Sequence, residues 1–230
     1  AAPPGCVARS ARFAAALDGL DARLEVAAGA MNCHVPEIRL GEQPGIAPCF
    51  ALGRETSRGV PWTCAGDVVT AVAMLTLKLL GGAAVYHEIQ ALDHGSDEAL
   101  LANSGEHDLA LADPAERPLL HENPWWDGAC ARFSPTPGPA TLVGFTPHAD
   151  EPSGFRYVVA EGEFTGRRLP GVGTVNAAFR FGGGEPVGAA WERWARAGVN
   201  HHSAATPGRF GDAVAAVAAQ LGVGVVRVST

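Results

Sequence analysis

The chain has 230 residues, 47% of them apolar, enough for a substantial core in one large domain or two small ones. Its net charge of −7 and its lack of any basic run, with Lys78 its only lysine, argue against nucleic acid and favour a small polar substrate or a protein partner. The five cysteines (Cys6, Cys33, Cys49, Cys64 and Cys130) are odd in number and have no CxxC spacing, so reduced core thiols in a cytoplasmic protein are expected.

The opening Ala1-Ala2-Pro3-Pro4-Gly5 has no charged or apolar signal region, and the most apolar stretch, 68–85, is broken by Lys78 and Gly81-Gly82. No signal peptide or membrane span is expected. Residues 9–23 carry apolar side chains at helical spacing, 24–33 suit a short buried strand, and 45–57 are helical again. Next come a strand at 60–64, an amphipathic helix at 67–80 with Asp67 in its first turn, and strands at 83–89 and 99–102. This alternation predicts a parallel αβ sheet segment over residues 1–113. From residue 114, prolines and glycines bound short alternating runs at 140–146, 155–164 and 174–181, the pattern of an antiparallel β barrel. A helix at 186–197 and a returning helix and strand over 209–228 complete this second domain, 114–230.

The residues with most chemical capacity sit at element ends. His201-His202 lies in a Gly/Asn-rich turn ahead of the 209–221 helix, where paired imidazoles either aim at a metal or are solvated and capping groups. Tyr86-His87-Glu88 closes one predicted strand, and Asn103-Ser104-Gly105-Glu106-His107-Asp108 closes the next, so His and carboxylate converge at strand ends as in an oxygen/nitrogen metal site. Ala91 and the distance to His94 rule out an H-E-x-x-H zinc helix. A mixed carboxylate and imidazole shell suits manganese better than calcium, and the absence of paired Cys ligands argues against structural zinc. Trp125-Trp126 either stacks on a sugar ring or plugs the join between the halves, and Trp191 and Trp194 read as core or interface.

Three stretches carry a family resemblance: Cys33-His34-Val35-Pro36-Glu37; Gly45-Ile46-Ala47-Pro48-Cys49-Phe50-Ala51-Leu52; and Gly59-Val60-Pro61-Trp62-Thr63-Cys64-Ala65-Gly66-Asp67. With the strand ending in His87-Glu88 and the late Gly198-Val199-Asn200-His201-His202, they resemble the carboxy-terminal half of the L-fucose/L-arabinose isomerase superfamily. The resemblance implies aldose–ketose interconversion with a divalent cation, usually manganese, and carboxylates that move a proton between adjacent carbons. It implies metal ligands at Glu88, with His87 competing if the register shifts by one, and at His202, with His201 lining the pocket. His107 or Asn103 stands where related enzymes place a further His, and Trp126 is a candidate sugar contact.

The chain departs from the family at Cys64-Ala65-Gly66-Asp67, where the resemblance implies an acidic residue in place of Ala65. Either Glu37, Asp67 or Glu106 replaces the missing carboxylate, or the chain is a non-catalytic sugar-binding or regulatory homologue. The resemblance does not extend to the family's amino-terminal half, so either the chain is a fragment or processed piece of a longer protein, or the missing wall comes from another polypeptide, as a homo-oligomer or a separate amino-terminal chain. No glycine-rich phosphate cradle or Arg/Lys cluster lies near these residues, so a small unphosphorylated sugar is expected.

Overall fold

A computed structural model of the chain describes all residues except 43–44, 116–117, 124–125, 168–174 and 230. Helix α1 (Pro4–Leu24) starts on a proline, which fits a first turn because its missing N–H would have no helical partner there. It ends where Glu25 turns left-handed at φ 52, and it buries Cys6, Ser10, Ala14, Leu17 and Asp21, one stripe at spacings of three and four. The two-residue strand β1 (Gly29–Ala30), the single turn α2 (Pro36–Arg39), α3 (Cys49–Arg58), β2 (Trp62–Thr63) and α4 (Val68–Leu79) follow. β1 and β2 pair in parallel, Gly29 opposite Trp62. A Cβ on Gly29 would meet the Trp62 indole at 2.5 Å, so glycine alone allows that approach.

The remaining elements are β3 (Val85–Asp93), β4 (Glu98–Ala102), β5 (Leu119–Glu122), β6 (Ala129–Arg132), β7 (Gly138–Pro147), β8 (Phe155–Phe164), β9 (Val175–Phe181), α5 (Val187–Arg196), β10 (His202–Pro207), α6 (Gly211–Leu221) and β11 (Gly224–Ser229). Six strands in the order β8-β7-β10-β3-β4-β9 form a barrel with antiparallel neighbours throughout, closed by β9 returning to the end of β8. The rest of that edge of β8 pairs in parallel with β11. The fold is therefore mixed α/β with an antiparallel barrel.

Strand alternation sorts the core into two layers. Leu101, Leu142, Val158, Phe179 and Ala205 belong to one cluster, closed off by Val187, Ala190 and Trp194 of α5. Tyr86, Val143, Tyr157, Val159 and Ala204 take the opposite face of the same strands and pack under α1, α3, α4 and α6. Lys78 of α4 reaches the fully buried Asp108 at 2.8 Å, and Asp108 also accepts from the backbone of Ala84 and Ala110, which anchors the loop after β4.

Three expectations need correction. The strands read as the end of a parallel segment, β3 and β4, are joined by residues 94–97 alone and pair antiparallel. A parallel pair needs a crossover of a dozen or more residues, and that length is absent between them. Within residues 1–113 the parallel pairing is thus between β1 and β2, while β3 and β4 hydrogen-bond to β10 and β9 across the 113/114 division. Second, His202 does not sit in a turn leading to a helix but begins β10. Third, Cys33 and Cys64 are bonded as a disulfide, Cα atoms 6.0 Å apart, whereas Cys6, Cys49 and Cys130 are buried free thiols. Among the described residues, no helix is long and apolar enough to cross a membrane.

Candidate metal and ligand site

The pairing of β10 with β3 builds the centre of the site. His202 is the direct cross-strand partner of Glu88, so both side chains leave the same face of the sheet, the face shared by Tyr86 and Ala204 two residues along. His201 precedes the strand and folds over this pair, its Nε2 2.7 Å from Glu88 Oε2 and its ring centre 4.5 Å from that of His202. Glu88, His201 and His202 each offer a ligand atom within 4.8 Å of the other two. One carboxylate and two imidazoles grouped in this way are a candidate ligand set for a metal ion.

Asp67 fixes the orientation of His202. It caps α4, accepting from the Thr70 backbone N–H at 3.0 Å and the Thr70 hydroxyl at 2.9 Å, and its Oδ2 also takes the Nδ1–H of His202 at 3.1 Å. A carboxylate only accepts, so in the neutral ring the proton sits on Nδ1 and Nε2 keeps its lone pair for a ligand position, the arrangement of a carboxylate–histidine–metal relay. Burial pushes the Asp67 carboxyl up, but the hydrogen bonds from His202 and Thr70 outweigh it and hold the group below its ordinary range. The turn that delivers Asp67 has Ala65 at φ 56 and Gly66 at φ 74, and it is held by the Cys33–Cys64 bond and by Gly66 N–H donating to Met31.

Glu88, His201 and His202 line a cleft of about 310 Å³ together with Cys49, Asn103, Ser104, Glu106, Trp126 and His34, the rings of the last two 6.2 Å apart. Among the described residues, no Arg or Lys lines it. Asn103 has its amide spent locally: it donates to the Tyr86 carbonyl at 2.7 Å and accepts from Gly105 N–H at 2.7 Å. Its role in the cleft is to shape the loop carrying Glu106. That carboxyl is buried, which raises its pKa, while the Cys49 thiol and the backbone N–H groups of Glu106 and Ser104 partly offset the rise.

The structure brings together Glu88, His201, His202, Asn103, Glu106 and Trp126, and gives Asp67 a supporting position behind His202. It separates three other candidates. His87 points through the sheet to the opposite face from Glu88, its Nε2 3.2 Å from the Ser203 hydroxyl, and burial lowers its pKa to about 4. The period of two along a strand therefore removes it as a substitute for Glu88. His107 borders the same interior space, a void of about 10 Å³, with its ring 4.9 Å from Phe133 and its pKa lowered to about 3, first by burial. It is not part of the donor group around Glu88. Glu37 lies exposed on α2 and is not among the residues lining the cleft. Trp125 falls outside the described residues.

The sequence reading gave no site role to Tyr86 or Cys49. The signal for Tyr86 was available, since a residue two positions before Glu88 on a strand shares its face. No protein-family model matches the chain, and no curated protein matches it.

Proposed function

We propose that the chain is a metal-dependent aldose–ketose sugar isomerase-like protein, related to the L-fucose/L-arabinose isomerase superfamily and acting on a small unphosphorylated sugar. The observation that carries this reading is the convergence of Glu88, His201 and His202 from two strands, backed by Asp67, on a cleft that also contains Glu106. Glu88, His201 and His202 would hold a divalent cation, manganese by preference for a carboxylate–imidazole shell. Such a cation supplies positive charge to neighbouring sugar oxygens while a C–H proton is removed.

The protein's own groups divide the remaining work. Asp67 holds His202, and both its oxygens are already engaged. Glu88 and Glu106 are the carboxylates that open on the cleft, and they are the groups able to take up and return a proton in place of the acid missing at Ala65. Trp126 offers an aromatic face to a sugar ring. The absence of Arg and Lys from the described lining, with several carboxylates close by, disfavours a phosphorylated ligand. Assembly as a homo-oligomer, or with a separate amino-terminal polypeptide, belongs to the same proposal because the family encloses its site with a further half. A cytoplasmic location is part of the same proposal.

The test is manganese titration of the purified protein followed by incubation with pentoses and 6-deoxyhexoses. Glu88→Gln and His202→Ala should each lose bound metal without unfolding, while His121→Ala on β5 should keep it. Sugar binding without turnover would favour the alternative of a non-catalytic sugar-binding homologue, for which Ala65 is the specific observation. Stoichiometric manganese in both site variants, or none in the wild type at millimolar metal, would refute the metal assignment.

A further inference from the structure

Among the described residues six buried side-chain polar atoms have no hydrogen-bond partner, and two of them belong to residues lining the cleft: the Tyr86 hydroxyl and Glu106 Oε2. Tyr86 is 4% exposed and Glu106 1%. A buried polar atom left unpaired costs stability, so its persistence beside a cleft points to a partner that arrives from outside. The two atoms are complementary, since a phenol donates and a carboxylate oxygen accepts. They are not bonded to each other, yet Glu106 is the charge acting most strongly on the Tyr86 hydroxyl. The Tyr86 ring also lies against His202, ring centres 4.4 Å apart, so this pair stands next to the metal-ligand group.

A group that satisfies both atoms must accept from a phenol and donate to a carboxylate. A hydroxyl does both through one oxygen. An ammonium cannot accept, a carboxylate cannot donate, and either anion, carboxylate or phosphate, would meet the carboxylates of Glu88 and Glu106. We propose that Tyr86 and Glu106 bind one hydroxyl of the ligand between them, making the cleft selective for neutral polyols that carry that hydroxyl. This inference rests on the sugar reading above for the ligand's identity, but not on the cation.

The test uses Tyr86→Phe and Glu106→Gln in the full chain with manganese present. Xylitol and a panel of pentoses and 6-deoxyhexoses are titrated calorimetrically, beside metal stoichiometry and thermal melts. For the tightest-binding member, Kd should rise roughly 10- to 1,000-fold in each variant, because a site built around a hydroxyl is left with a mismatched buried group. Metal stoichiometry should not change, and Tyr86→Phe should melt at or above the wild-type temperature because an unpaired hydroxyl has been removed. Affinities within twofold of wild type would overturn the proposal, as would a Tyr86→Phe protein that melts several degrees lower, which would show a structural partner for the hydroxyl. Wild-type protein that binds no panel member at about 100 mM would overturn it too. Sugar binding that persists without any manganese binding would defeat the proposed metal function and leave this pair standing. Manganese binding with no sugar bound would defeat the sugar reading and the pair together, whereas sugar binding unchanged in both variants would defeat the pair alone.

Discussion

Asp67→Asn separates the two tasks of one side chain. As the cap of α4, Asp67 uses Oδ1 for the Thr70 backbone N–H, and Asn caps about as well as Asp. In this variant the amide oxygen keeps that bond only if the amide nitrogen takes the place of Oδ2, facing His202 Nδ1. An amide N–H donates where the carboxylate accepted, so the imidazole keeps its proton on Nε2 and loses the lone pair needed by a metal. Helix stability should therefore change by less than about 0.5 kcal/mol. Manganese affinity should fall about 10- to 100-fold, the usual effect of removing an outer partner of a ligating His. Asp67→Ala should show the same loss of affinity and also lose the cap, about 1 kcal/mol, lowering Tm by about 2–4 °C for a chain of this size. Calorimetric titration at neutral pH and thermal melts of both variants measure these quantities. An Asp67→Asn protein that binds manganese within twofold of wild type would refute the tautomer argument.

Further outcomes follow from other parts of the structure. His87 and His107 are held neutral by burial, their pKa values lowered to about 4 and about 3 from about 6.5 in the unfolded chain, so the unfolded state binds more protons below pH 6.5. Their contribution is complete above pH 6.5 and declines as pH falls towards these values, by up to about 1.4 kcal/mol per pH unit for each group; urea unfolding at pH 7 and 5 should show the decline, and His107→Gln should reduce it. Equal midpoints at the two pH values would contradict this. Ala65→Glu places a carboxylate on the cleft wall at the position the family resemblance assigns to an acid, and should raise manganese affinity at least about tenfold; unchanged affinity would remove Ala65 as the reason for a weakened site. The Cys33–Cys64 bond spans a sequence separation of 31 residues and should contribute about 3–4 kcal/mol through the unfolded state, so Cys64→Ser should melt well below wild type, and an unchanged Tm would show that the bond does not form in solution.

The parts of the fold that were legible in the sequence are those whose pattern is local. The apolar stripes of α1, α4 and α6 and the short apolar runs of β7 and β8, bounded by Gly and Pro, can be read without knowing their neighbours. β10 could not be read in this way, because Ser203, Ala204 and Ala205 are small and lack a strong polar–apolar alternation. Its strand character comes from lying between β3 and β7. The direction of β3 and β4 was legible in principle from the short Gly95-containing turn between them, but helix–strand alternation upstream suggested a crossover for which the chain has no length.

The candidate site follows the same division between local and non-local information. Glu88 and His202 were identifiable as residues, yet their register depends on β10, so a sequence reading leaves His87 and Glu88 in competition until the strand faces are known. Once Glu88 is on the helix-covered face, Tyr86 must share that face and His87 must leave it. Glu106 and Cys49 come from a loop and a helix start, where no period ties side-chain direction to sequence. Their convergence depends on Asn103 binding Tyr86 and Gly105, and on Asp108 anchoring the loop to Lys78. The acid implied at Ala65 and the acid found at Glu106 thus reach the same cleft by different routes, one through the turn before α4 and the other through the loop after β4. Because those routes are separate, a carboxylate could be lost at the first without disturbing the second, whereas Asp67, which joins α4 to His202, cannot be changed without affecting one of its two partners.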